Sequence, residues 1–107
     1  MIRLASVIGL PVENADEYER LHAEVWPAVL ERLRASHMTN YSIYRYGELL
    51  FSYLEYTGDN LDVDNAAIAA NEATKEWWAV CEPLQRPLPS RAPGEWWQAI
   101  PEVFHLD

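Results

Sequence analysis

Apolar and polar positions along the chain alternate between strand and helix periods. "IRLASVIGL" (2–10) is apolar and β-branched and stops at Pro11, which predicts a first strand. "ADEYERLHAEVWPAVLERLRASH" (15–37) changes to helical spacing. At about 100° per residue, Tyr18, Leu21, His22, Val25, Val29 and Leu33 share one arc, with Arg20, Glu24, Pro27, Glu31 and Arg34 opposite. Asn14 or Asp16 is a possible N-cap, and Pro27 predicts a kink or a division after Trp26. "NYSIYRY" (40–46) alternates, Gly47 and Glu48 make a turn, and "LLFSYLEY" (49–56) reads as the hairpin partner. The stretch 57–84 begins with turn residues and continues as an alanine-rich helical region, broken at Asn71, with a second helix over "ATKEWWAVCEPL". "QRPLPSRAPG" (85–94) reads as a loop or extended arm, and "EWWQAIPEVFHLD" (95–107) as a last strand that Pro101 confines to an edge or a bulge.

The resulting order, β-α-β-β-α-β, predicts an α+β fold: a ferredoxin-like, split-βαβ sheet with its helices on one face. The other face then needs cover from a second copy or a ligand cavity. Within 40–46, Tyr41, Ile43 and Arg45 point one way and Asn40, Ser42, Tyr44 and Tyr46 the other. Neither set is a simple solvent face, and tyrosine and isoleucine beside polar groups suit a polar-ligand pocket or a wet interface.

Composition narrows what such a pocket holds. With 107 residues, half of them hydrophobic, the chain suits a single domain, 1–107. A formal net charge of −9 argues against nucleic acid and against an anionic membrane surface, both of which call for clustered Lys and Arg. A neutral or weakly charged ligand is the more natural partner. The single cysteine, Cys81, excludes an intrachain disulfide framework, and no signal-peptide pattern or membrane-length apolar run occurs. These features point to a cytoplasmic protein.

Five tryptophans and six tyrosines suit core walls, interfaces and sugar-binding surfaces equally. His22 faces the sheet, where it is either a core histidine satisfied by a hydrogen bond or a general acid or base. No metal site is expected, because His37 and His105 lie far from His22 and no clustered ligand spacing occurs; His37 reads as a helix end and His105 as a tail residue. Phosphate-loop, dinucleotide and nucleophile-elbow motifs are missing, and Cys81 reads as a small buried hydrophobe. Trp77 and Trp78 cannot share one helix face, so either one fills the core while the other covers a loop, or one stacks on a flat ligand. Glu17, Glu19, Glu24 and Glu31 read as a solvated face.

Taken together, "EYERLHAEVWP", "NYSIY", "LLFSYLEY", "EWWAVCEPLQ" and the closing "EVFHLD" resemble the L-rhamnose mutarotase family over nearly the whole chain. That resemblance implies a cytoplasmic homodimer with a dimeric α+β barrel fold. It implies an isomerase that interconverts the α and β anomers of L-rhamnose without metal or organic cofactor. By the same resemblance His22 is the proton donor, and Tyr18, Tyr41, Trp77 and Trp78 contact the sugar, while Trp96 and Trp97 have no site role. Two alternatives stand beside this one: a mutarotase for another deoxysugar such as L-fucose, and a cofactor-independent monooxygenase of the same barrel type.

Overall fold

The computed structural model describes residues 1–107 and sorts the apolar runs into one antiparallel sheet with helices on one side. Strands β1 (Ile2–Gly9), β2 (Met38–Tyr46), β3 (Leu49–Tyr56) and β4 (Gln98–Ile100) lie in the order β2-β3-β1-β4. This is the ferredoxin-like α+β arrangement that the element order predicts. Each helical crossover is divided. The first holds α1 (Ala15–Ala23) and α2 (Pro27–Ala35), the second α3 (Leu61–Ala70) and α4 (Glu72–Cys81).

The divisions have local causes. Trp26 precedes a proline and is extended (ψ 130), as sterics demand, so α1 stops at Ala23 and Pro27 starts α2 at a position where its missing N–H costs nothing. The sequence thus places the break correctly, although three residues rather than a kink separate the helices. Asn60 and Asn71 cap α3 and α4, their side chains accepting from the N–H groups of Val63 and Thr74. Asn14 does not cap α1 with its side chain; its amide donates to the Leu84 carbonyl instead, at 3.0 Å.

Pleat and register set the faces of the sheet. Ile8 pairs with Leu50, Ser6 with Ser52 and Leu4 with Leu54, and these side chains turn toward the helices. Ile8, Leu10, Leu50, Tyr18, Val29 and Trp77 form the main core, and Met38, Tyr56 and Ile68 a smaller one. The opposite face carries Val7, Tyr44, Phe51 and Tyr53, with Tyr44 64% and Tyr46 79% exposed.

Two expectations change. β4 covers only Gln98–Ile100, not 95–107, because Pro101 has no N–H for the ladder; the edge position itself is as expected. Beyond it Glu102 forms a double ion pair with Arg3, and Val103, Phe104 and Leu106 stand exposed. The arm 85–94 is also less free than a loop. Arg86 exchanges both backbone hydrogen bonds with Gly9, at 2.8 and 2.9 Å, so a Cβ on Gly9 would collide with the Arg86 carbonyl.

Candidate active site

The end of α1, the inner face of α2, the first half of β2 and one side chain of α4 line a cavity of about 540 Å³ on the helix side of the sheet. Its size is that of a small-molecule site. Val25, Val29, Leu30, Leu33, Met38 and Ile43 supply apolar walls, and His22, Thr39, Asn40 and Tyr41 the polar groups. Arg34 is the one cation on the lining.

His22 is the most constrained of the polar groups. Its ring stacks on Tyr18 at 4.0 Å with an interplanar angle of 22°, as i, i+4 neighbours on a helix can. Trp77 meets it in an edge-to-face contact at 5.1 Å, and Trp26 meets Trp77 in the same way, also at 5.1 Å. Nδ1 lies 2.9 Å from the Tyr18 carbonyl. A carbonyl only accepts, so Nδ1 carries the hydrogen and the lone pair of the neutral ring sits on Nε2. Burial lowers the pKa of His22, the bond to the Tyr18 carbonyl opposing it. The free protein therefore holds a largely neutral imidazole at neutral pH, which becomes a stronger acid than usual once protonated.

The tyrosines shift the other way. Burial raises the phenols of Tyr18 and Tyr41, keeping both protonated as hydrogen-bond donors. Tyr41 is 42% exposed as a residue and lines the cavity. Tyr18 is only 3% exposed, and its hydroxyl accepts a 3.3 Å bond from Gln85.

The residues singled out in the sequence divide accordingly. His22, Tyr41 and Trp77 line the cavity, and Tyr18, not itself on the lining, stacks on the imidazole. Trp77 is 6% exposed, but Trp78, about 100° around the helix, is 38% exposed and outside the lining. Asn40 lines the cavity beside Tyr41, against the strict alternation expected of them. The cause is a register shift between Thr39 and Ser42, where Asn40 takes a positive φ of 46°. Nothing in the sequence period signals that bulge. Thr39 and Gln85 were missed as well, since polar residues at strand and helix ends carry no spacing signal. Arg34, which the spacing set opposite His22, lines the cavity beside it instead, the division at 24–26 having broken the single helix on which that arc was drawn.

Cys81 is buried beside this region, its thiol pushed up to about 11 by burial, and so remains an inert small hydrophobe. No three His, Cys, Asp or Glu side chains converge in the way that a metal ion needs. His37, at φ 65°, lies past the end of α2, as expected, and its ring turns to Asp64, while His105 bonds Asp107 in the tail.

Comparison with known proteins finds similarity over nearly the whole chain. Residues 3–106 match the family model described as L-rhamnose mutarotase. The chain is similar to the L-rhamnose mutarotase of Ligilactobacillus salivarius, 37% identical over 99% of this chain and 98% of the relative. Similarity to that of Listeria monocytogenes is 34% over 99% of each. Among solved structures, the crystal structure of an L-rhamnose mutarotase from Formosa agariphila superposes with a TM-score of 0.78 at 25% identity, covering 100% of both chains.

Proposed function

We propose, from the premise that the chain belongs to the L-rhamnose mutarotase family, that it is an isomerase interconverting the α and β anomers of L-rhamnose in the cavity beside His22. The observation that carries this reading is the state of His22: one nitrogen held by a carbonyl, no carboxylate bonded to the ring, and Nε2 left for a ligand. Mutarotation needs a proton carrier and hydrogen-bond donors, and neither a nucleophile nor an electron sink. The apolar walls suit the C–H face and methyl group of a 6-deoxyhexose better than a heavily charged ligand.

In the opening step, protonated His22 gives its Nε2 proton to the pyranose ring oxygen while the anomeric hydroxyl passes its own to water. The bond between the anomeric carbon and the ring oxygen breaks, leaving an open-chain aldehyde and a hydroxyl. Rotation presents the other carbonyl face. On closure the neutral imidazole takes the hydroxyl proton back and water returns a proton to the carbonyl oxygen, so His22 is acid in one direction and base in the other. Tyr18 and Tyr41 donate to sugar oxygens and Trp77 lies against the apolar face of the ring, while Trp78, outside the cavity lining of this chain, belongs to the contact set by family resemblance alone. General acid–base assistance of this kind is worth about 10² to 10⁴ in rate.

The reading extends to assembly. No helix of this chain is long and apolar enough to cross a membrane, and the one cysteine is a buried free thiol, which fits a cytoplasmic enzyme. The single domain 1–107 pairs with a second copy across the outer sheet face, where Tyr44 and Tyr46 are exposed beside Phe51 and Tyr53, to give the dimeric α+β barrel. Analytical ultracentrifugation at micromolar concentration is expected to show a dimer; a monomer contradicts that part.

The activity itself is tested by saturation-transfer NMR. Enzyme-dependent exchange between the anomers of L-rhamnose, faster than for L-fucose, is expected. No exchange of L-rhamnose rejects the function, and faster exchange of L-fucose reassigns its sugar.

A further inference from the structure

The hydrogen bonds around Tyr18 run in one direction only. The indole N–H of Trp96 can only donate, and it does so to Oε1 of Gln85 at 2.7 Å. That contact settles which way the Gln85 amide faces, since the flipped amide would set N–H against N–H. Nε2 of Gln85 is consequently the end presented to the Tyr18 hydroxyl, at 3.3 Å. The phenol oxygen accepts there, and its own proton must point elsewhere. No acceptor in the chain takes that proton, although Tyr18 is 3% exposed and its ring lies flat against His22. A buried hydroxyl donor without an acceptor is costly unless something else accepts from it.

We infer that Trp96 and Gln85 are positioning residues, which hold the Tyr18 hydroxyl with its proton turned out toward a sugar oxygen beside His22. The inference rests on the mutarotase reading and adds residues that neither the periodicity nor the family motif assigns. It also explains why the arm carrying Trp96 is tied down on both sides. Arg86 bridges to Gly9, and Glu95 accepts from the backbone N–H groups of Ala92 and Ala99.

Gln85→Glu is the sharpest test because it keeps the shape and reverses the bonding. A carboxylate accepts from Trp96 and from Tyr18 alike, so the phenol proton is drawn away from the cavity. L-rhamnose exchange, measured as kcat/KM by saturation-transfer NMR, is expected to fall about tenfold, what one directed hydrogen bond is worth in a positioned site. Gln85→Met and Trp96→Phe leave the phenol free to turn and are expected to cost less, about threefold each. The decisive arm is the double-mutant cycle. In a Tyr18→Phe background, Gln85→Glu is expected to cost nothing further, whereas a purely structural effect, or a charge acting on His22, costs the same in both backgrounds. Equal costs, or a Gln85→Glu variant as active as wild type, overturns the relay alone. A wild type that exchanges no anomers overturns the function on which the relay depends.

Discussion

Two histidines, each touching a tyrosine, sit near the two ends of the α2 region and have opposite surroundings. His22 is packed flat on Tyr18 and bonded through Nδ1 to a neutral carbonyl, inside an aromatic wall. His37 meets the edge of Tyr56 at 6.4 Å, and its Nδ1 lies 3.2 Å from Asp64, whose carboxylate also accepts the Tyr56 hydroxyl. Tyr56 in turn accepts from the Asn60 backbone N–H, at the start of α3. One histidine is thus desolvated and has no counter-ion, which leaves it neutral in the free protein with Nε2 open to a ligand. The other belongs to a clasp that joins β2, β3 and α3. Histidine and tyrosine in contact do not make a site; the partner of the imidazole decides.

The largest break in this comparison is His22→Ala. Anomer exchange is expected to fall by about 10² to 10⁴ with the fold retained by circular dichroism, while His37→Ala leaves exchange within about twofold of wild type. Next comes Tyr41→Phe, which removes one donor from the cavity and is expected to cost about tenfold in kcat/KM, measured by the same NMR exchange. Tyr56→Phe, on the clasp side, should lower the thermal midpoint without changing exchange, and a calorimetric scan beside a kinetic run separates the two.

The pH dependences sharpen the contrast further. Burial places the pKa of His22 in the folded protein below 6.5. If the imidazolium is the donor in the opening step, kcat/KM falls as pH rises through that lowered value; a rise instead assigns the first step to the neutral ring. For stability the unfolded chain takes up the His22 proton first, so stability declines as pH drops from about 6.5 through the folded value, and His22→Gln should flatten that decline. Asp64 is held below its ordinary 3.8 by the Tyr56 hydroxyl first and His37 second. Its contribution is present above that value and disappears as pH falls through the lowered one. Urea midpoints across pH 3 to 7 distinguish the two windows, and Asp64→Asn should remove only the lower one.

Much of the fold was legible in the residues. Period two and period 3.6 are strong where a run is long, so β1, the β2–β3 hairpin and the divisions at Pro27 and Asn71 follow from local chemistry that needs no distant partner. The inward turn of His22 follows from the same arithmetic. Short β4 was less legible, because a strand of three residues owes its existence to the edge of β1. Asn40 was misplaced since a bulge reverses the parity on which face assignment depends. Gln85 and Trp96 were invisible as a pair, being joined only by the path of a proline-rich arm.

By itself, then, the order of apolar and polar residues determined the elements, their order, the face of α1 that carries Tyr18 and His22, and, through its motifs, the family. Only the tertiary structure decided which of Trp77 and Trp78 enters the cavity, that the lone pair of neutral His22 is on Nε2, and where the hydrogen bonds of Tyr18 run. The reason is physical. Helix and strand periods are set by backbone geometry within a few residues, whereas a proton's position is set by whichever acceptor the fold brings within about 3 Å.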